Sequence, residues 1–209
     1  KGTSHTVAVA FDGGGACWAA ITCSAANPSF AETVNATGSD NPENLADGAL
    51  DFNDPDNPAS EYFMIFIPYC TGDIHWGNAV TTYPAKAGYP EVTINHKGFN
   101  NGMAVMDWVY AHFSNPDRIF VTGVSAGAYG SLLFAPYLME HYPQAQVVQN
   151  GDAGAGVVSQ DFMATEGEGF NAWNAWPSFP PFLLDEIEGI PLEELTFSDA
   201  YIVAANHYP

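Results

Sequence analysis

The chain has 209 residues, 47% of them hydrophobic and 14% aromatic, enough to bury a sizeable core in one domain. Its 24 acidic residues face only 4 basic ones, a formal net charge of −20, which repels phosphate backbones and anionic lipid surfaces and argues against nucleic-acid and membrane partners. No apolar run nears the roughly 18 residues needed to span a bilayer. Self-repulsion of this size is tolerable where salt screens it, since the Debye length falls to about 3 Å at 1 M. The charge therefore points to a saline or marine setting outside the cell.

In chain order, HTVAVAF (5–11) reads as a first strand and runs into the loop FDGGGACW. Cys17 and Cys23 lie six apart on that loop and could pair, which suits an oxidising compartment, with Cys70 left over. Spacing does not fix the geometry such a bond needs. Residues 24–60 are turn-rich and acidic and read as a long surface excursion. YFMIFIPY (62–69) is the second strand, ending in PYCTGDIHWG. A helix follows, with Met103, Met106, Val109, Tyr110 and Phe113 on one face. RIFVTG (118–123) is the third strand and AQVVQNG (145–151) the fourth, ending in NGDAGAG. The helix between them carries Tyr129, Leu132, Leu133, Tyr137 and Leu138 at helical spacing, and Pro136 is expected to bend or divide it near Ala135. Residues 166–197 mix Trp, Phe and Pro and read as a cap or lid over a site.

Strands this apolar are covered on both faces, as in a parallel sheet, and two strand–helix–strand crossovers join them. The expected fold is a single α/β domain over 1–209, like an α/β-hydrolase, with a mostly parallel sheet, helices on both faces, and an incomplete C-terminal end. In such sheets ligands sit beyond the carboxyl ends of the strands. Here all four of those ends carry reactive or glycine-rich loops, which points to a site there.

Ser125 lies in V-T-G-V-S-A-G-A-Y-G, between an apolar strand and an apolar-periodic helix. G-x-S-x-G in that context is a nucleophile elbow, which lifts the hydroxyl above the sheet edge. Acyl transfer also needs N–H donors aimed at the developing oxyanion. The amide of Ala126 is one candidate, and the loop Gly13-Gly14-Gly15 can turn further amides inward. That loop lacks the lysine of a phosphate-binding loop, so a nucleotide cradle is excluded.

The motifs GGGACW, IPYCTGDIHWG, HKGFNNG, GVSAGAYGS and GDAGAGV, in this order and spacing, resemble the pectin acetylesterase/Notum family of carbohydrate and acyl esterases, its bacterial members above all. The resemblance covers nearly the whole chain. It implies Ser125 as the nucleophile and Gly14, Gly15 and Ala126 as oxyanion donors. It also makes Asp152 a structural or pocket element near the serine rather than the catalytic acid. The animal Notum branch carries Trp where this chain has Gly15, which favours a small acyl group such as acetyl over a lipid chain.

A serine esterase also needs a histidine base and a carboxylate to orient it. After Ser125 only His141 and His207 remain, and His141 lies about 24 Å away along the helical rise. Family resemblance places the Asp and His beyond residue 209, so the chain reads as a fragment lacking its C-terminal part, inactive by itself. Asp73, His75 and His96 are read as loop hydrogen-bonders lining the pocket rather than metal ligands. Neither metal nor cofactor is expected. The favoured reading is a secreted or periplasmic serine carboxylesterase that removes acetyl groups from a polysaccharide such as pectin. The alternatives are a Notum-type lipid or acyl-protein carboxylesterase and a non-catalytic carbohydrate-binding homologue.

Overall fold

Strand β1 (Thr3–Phe11) is sandwiched in the middle of a four-stranded sheet, and its residues Val7 to Phe11 are all buried, which is why the run carries no polar side chain. The computed structural model describes residues 3–26, 28–38, 40–45, 48–154, 156, 158–159, 162–163, 165, 167, 169–191, 194 and 196–207. The other strands are β2 (Tyr62–Ile67), β3 (Ala79–Tyr83), β4 (Val92–His96), β5 (Arg118–Val124) and β6 (Gln146–Asp152). The sheet runs β2-β1-β5-β6 and every pair in it is parallel. Four of the expected strands are thus present, with bounds moved by one or two residues.

The register levels the carboxyl ends: Phe11 pairs with Ile67 and with Gly123, and Val124 with Asp152. The chain leaves β1 toward β2 on one side, then crosses to β5 and β6 on the other. Between β1 and β5 the connections therefore diverge, the switch point where open α/β sheets place their ligands.

Helix α1 (Ala20–Cys23) is one turn; α2 (Gly98–His112) and α3 (Ala126–His141) are the long ones. On α2 the expected face is the buried one, with Met106, Val109 and Phe113 nearly sealed, and Gly102 lets α2 close onto the ring of Phe134 in α3. Eleven residues of α3 are buried, and the helix runs unbroken through Pro136. A proline costs a helix interior about 3 kcal/mol. Burying Leu132, Leu133, Phe134 and Leu138, at about 1.5–3 kcal/mol each, more than offsets that.

On the opposite face the turn Gly48–Leu50 lies near β5, and a groove of about 610 Å³ remains between Ala49, Pro58, Tyr62, Arg118, Phe120 and Val148. It sits at the amino ends of the strands, away from the switch point. Helices of the long kind therefore cover one face, with the excursion reaching over the other. The hairpin β3–β4, a separate two-stranded antiparallel sheet, is an addition to the four expected strands.

After β6 come α4 (Gly169–Ala172), α5 (Pro181–Ile187) and α6 (Phe197–His207). Trp76 is fully buried among the rings of Tyr129, Phe170, Phe179 and Phe197, so this segment packs on both the β2 loop and α3. No helix among the described residues is long and apolar enough to cross a membrane.

Candidate active site

Ser125 joins β5 to α3 with φ 57° and ψ −119°, and its side chain is exposed. Its N–H donates to the Asp152 carbonyl at 2.9 Å, so β6 pins the elbow through main chain. The flanking glycines are steric requirements. A Cβ on Gly127 would run into the Phe11 carbonyl, and one on Gly123 into the Gly127 carbonyl. The helix therefore starts hard against the end of β1.

The glycine loop lies beside the serine. A Cβ built on Gly13 would sit 3.5 Å from the Ser125 Cβ and 2.7 Å from the Val124 carbonyl. Gly15, at φ 78°, adopts a left-handed conformation, and a side chain there would collide with the Ser29 carbonyl. The chain around Phe30 straps the loop: Ala16 N–H donates to the Ser29 carbonyl and Ala31 N–H to the Gly14 carbonyl. Among the described residues, the N–H groups of Gly14 and Gly15 meet no acceptor. Ala126, the first residue of α3, has no acceptor within its helix either. Three amides without an acceptor among the described residues thus lie on the glycine loop and at the start of α3, and Gly13 brings that loop against Ser125. The Gly13 N–H is committed to the Asp12 carboxylate.

Asp12 is the group that sequence reading passed over. Half-buried at the end of β1, its carboxyl is pushed up to about 6, first by burial and then by the Asp40 carboxyl it bonds. The signal was its place directly before the glycines. Its partner comes from the 24–60 excursion, which no local pattern links to it.

Asp73, His75 and His96 stand behind the loop rather than along an open pocket; their exposures are 0, 2 and 0%. Asp73 accepts from the Thr71 hydroxyl (2.6 Å), the His75 N–H (3.2 Å) and the Gly98 N–H at the start of α2 (2.7 Å). Burial still raises it to about 6. His96 sits between the Thr71 carbonyl (2.9 Å) and the Tyr83 hydroxyl (2.8 Å), and His75 bonds the Asp12 carbonyl (2.9 Å). Burial lowers both imidazoles to about 4, so they are neutral at ordinary pH. Asp152 contributes its carbonyl to the elbow while its side chain is exposed; Ala155 and Val157 just beyond lie outside the described residues.

The remaining imidazoles are engaged elsewhere: His5 with Asp117, His112 on Trp108, His141 stacked on Tyr110 and His207 on Phe182. Among the described residues, no histidine bonds the Ser125 hydroxyl. No cluster of three or more His, Cys, Asp or Glu gathers there as a metal site either. Cys17 and Cys23 form a disulfide two residues after Gly15, and Cys70 is a free thiol. Trp173 Nε1–H donates to the Cys17 carbonyl (2.8 Å) and Gly169 N–H to the Trp18 carbonyl (3.2 Å), docking the segment after β6 onto the glycine loop.

A family model described as pectinacetylesterase matches residues 1–168. Among solved structures, the Wnt deacylase Notum from Drosophila is similar, with a TM-score of 0.54 and 14% sequence identity. The match covers 96% of this chain and 60% of that one, so this chain spans about three fifths of the Notum length. At that identity the likeness is one of fold. No curated protein matches the chain.

Proposed function

The chain belongs to the pectinacetylesterase family, and from that premise we propose that it carries the nucleophile half of a serine carboxylesterase acting on small acyl esters, acetyl groups on a polysaccharide such as pectin. The observation that carries the reading is the elbow: Ser125, exposed and left-handed at a switch point, with a glycine loop against its Cβ.

In this reading the Ser125 Oγ attacks the ester carbonyl carbon while a base takes its proton. The carbonyl oxygen becomes the oxyanion and is held by the N–H groups of Gly14, Gly15 and Ala126. Collapse breaks the bond to the sugar oxygen, which leaves protonated by the same base. Water then attacks the acyl-enzyme and releases acetate and free Ser125. The base is a histidine held by a carboxylate. All six histidines of the sequence are described and none bonds Ser125, so the base in this reading is a histidine other than these.

The bare position at Gly15 supports a small acyl group, since no bulky wall residue fits there without moving the Ser29 strap. The disulfide supports a secreted or periplasmic setting. Residues 166–197, whose Gly169 and Trp173 bond the Trp18 and Cys17 carbonyls just after the glycine loop, are proposed as the cap. The test is hydrolysis of p-nitrophenyl acetate by the full-length protein and by Ser125→Ala. The variant is expected to lose activity by several orders of magnitude; activity within tenfold of wild type refutes the reading.

A further inference from the structure

The N–H of Asp12 makes the last ladder bond of β1, to the Ile67 carbonyl at 3.0 Å. Beyond it the chain leaves the sheet as the glycine loop, and its next main-chain anchor is the Asp12 carbonyl. That oxygen is held by His75 Nε2 at 2.9 Å. A carbonyl only accepts, so Nε2 carries the proton and, in the neutral ring, Nδ1 carries none. The ring's one N–H is therefore spent on the main chain, and the buried ring makes no hydrogen bond to Ser125.

What holds the ring there is unusual backbone. Ile74 and His75 have φ 53° and 68°, consecutive left-handed residues, and for a β-branched isoleucine this is a true outlier. Such conformations cost on the order of 1–3 kcal/mol each and persist only where the surroundings impose them. Here Asp73 accepts the His75 N–H, and the Tyr69 hydroxyl accepts the Ile74 N–H at 2.8 Å. The ring then wedges between Phe11 (centroids 5.2 Å), Tyr69 (4.7 Å) and the nucleophile helix. There, a Cβ on Gly130 would stand 2.9 Å from the imidazole Cδ2. One buried side chain thus touches the end of β1, Tyr69 after β2 and α3 together.

We infer that His75 is a positioning residue for the glycine loop: it fixes the Asp12 carbonyl and thereby the distance of Gly13, Gly14 and Gly15 from Ser125. The inference rests on the esterase reading above for its catalytic consequence, and on geometry alone for the coupling of ring to loop. It differs from a plain core histidine in one respect. The bond to Asp12, rather than the volume of the ring, is what matters.

Two variants of the full-length protein separate these. In His75→Gln the amide nitrogen reaches about as far as Nε2 and can still donate to Asp12. In His75→Asn it falls short, although asparagine suits the left-handed backbone better than histidine. A loss in the Asn variant is then not a backbone effect. His75→Asn is expected to lower kcat on p-nitrophenyl acetate about 100-fold with KM nearly unchanged, the scale of a misplacement near 1 Å. His75→Gln stays within a few-fold of wild type. In parallel, hydrogen exchange at Asp12 and Ala16, the bonded amides on either side of the glycine loop, quickens in the Asn variant only, with β5 amides protected equally in both. Equal kcat and equal exchange in the two variants overturn the inference. Should the wild-type protein hydrolyse nothing, the esterase reading fails, and the exchange comparison still decides whether His75 holds the loop.

Discussion

Ser125 occupies a backbone region that costs a side chain on the order of 1–3 kcal/mol, and glycine would relieve it at an entropic cost of about 0.5–1 kcal/mol. Ser125→Gly is therefore expected to stabilise the fold by about 1 kcal/mol in urea denaturation while removing the proposed nucleophile; a loss of stability speaks against a strained elbow. Gly127 argues the other way. In an ordinary helix Gly→Ala gains about 1 kcal/mol, but here the new methyl meets the Phe11 carbonyl. Overpacking of this kind costs about 1–3 kcal/mol, so Gly127→Ala is expected to destabilise despite alanine's helix preference. The elbow was legible in the sequence because its glycines answer to contacts with immediate neighbours and with one strand end. Asp12 was not, because its partner Asp40 and the histidine on its carbonyl come from distant loops. The histidines and Asp73 were legible as hydrogen-bonders, but their depth behind the loop follows from tertiary packing that spacing does not encode.

Among elements, the four parallel strands stood out because central strands buried on both faces need continuous apolar runs. The β3–β4 hairpin did not. Its residues alternate between half-buried and exposed, Val80 is 60% exposed, and Thr82 and Thr93 bond across the strands, so its composition resembles a polar loop. The docking of the segment after β6 can be tested at Trp173. Its indole is buried and donates to the Cys17 carbonyl beside the disulfide. Trp173→Phe removes that bond and part of the ring, and is expected to cost about 2 kcal/mol and to quicken exchange at the bonded amides of Ala16, Cys17 and Trp18. Unchanged exchange at residues 16–18 would detach this segment from the site.

For the molecule as a whole, burial sets opposing pH trends. His75 and His96 sit near 4 in the fold against an ordinary 6.5, so the unfolded chain takes up protons first and stability drops as pH falls from 6.5 toward 4. Asp12 and Asp73 sit near 6 against 3.8, so the folded chain takes up protons first and stability rises as pH falls from 6 toward 3.8. The two trends offset one another in wild type. Removing one imidazole exposes the imbalance. The stability penalty of His96→Gln, measured by denaturation at pH 7, is expected to shrink by about 2 kcal/mol at pH 5; an equal penalty at both pH values contradicts a buried neutral His96. A net charge of −20 likewise predicts that the melting temperature rises between low salt and 1 M NaCl, as screening relieves self-repulsion. Labelling the full-length protein with a fluorophosphonate tests whether Ser125 is the reactive hydroxyl. Mass spectrometry is predicted to place the adduct on Ser125, with none in Ser125→Ala; an adduct on another residue, or undiminished labelling of the variant, contradicts the account.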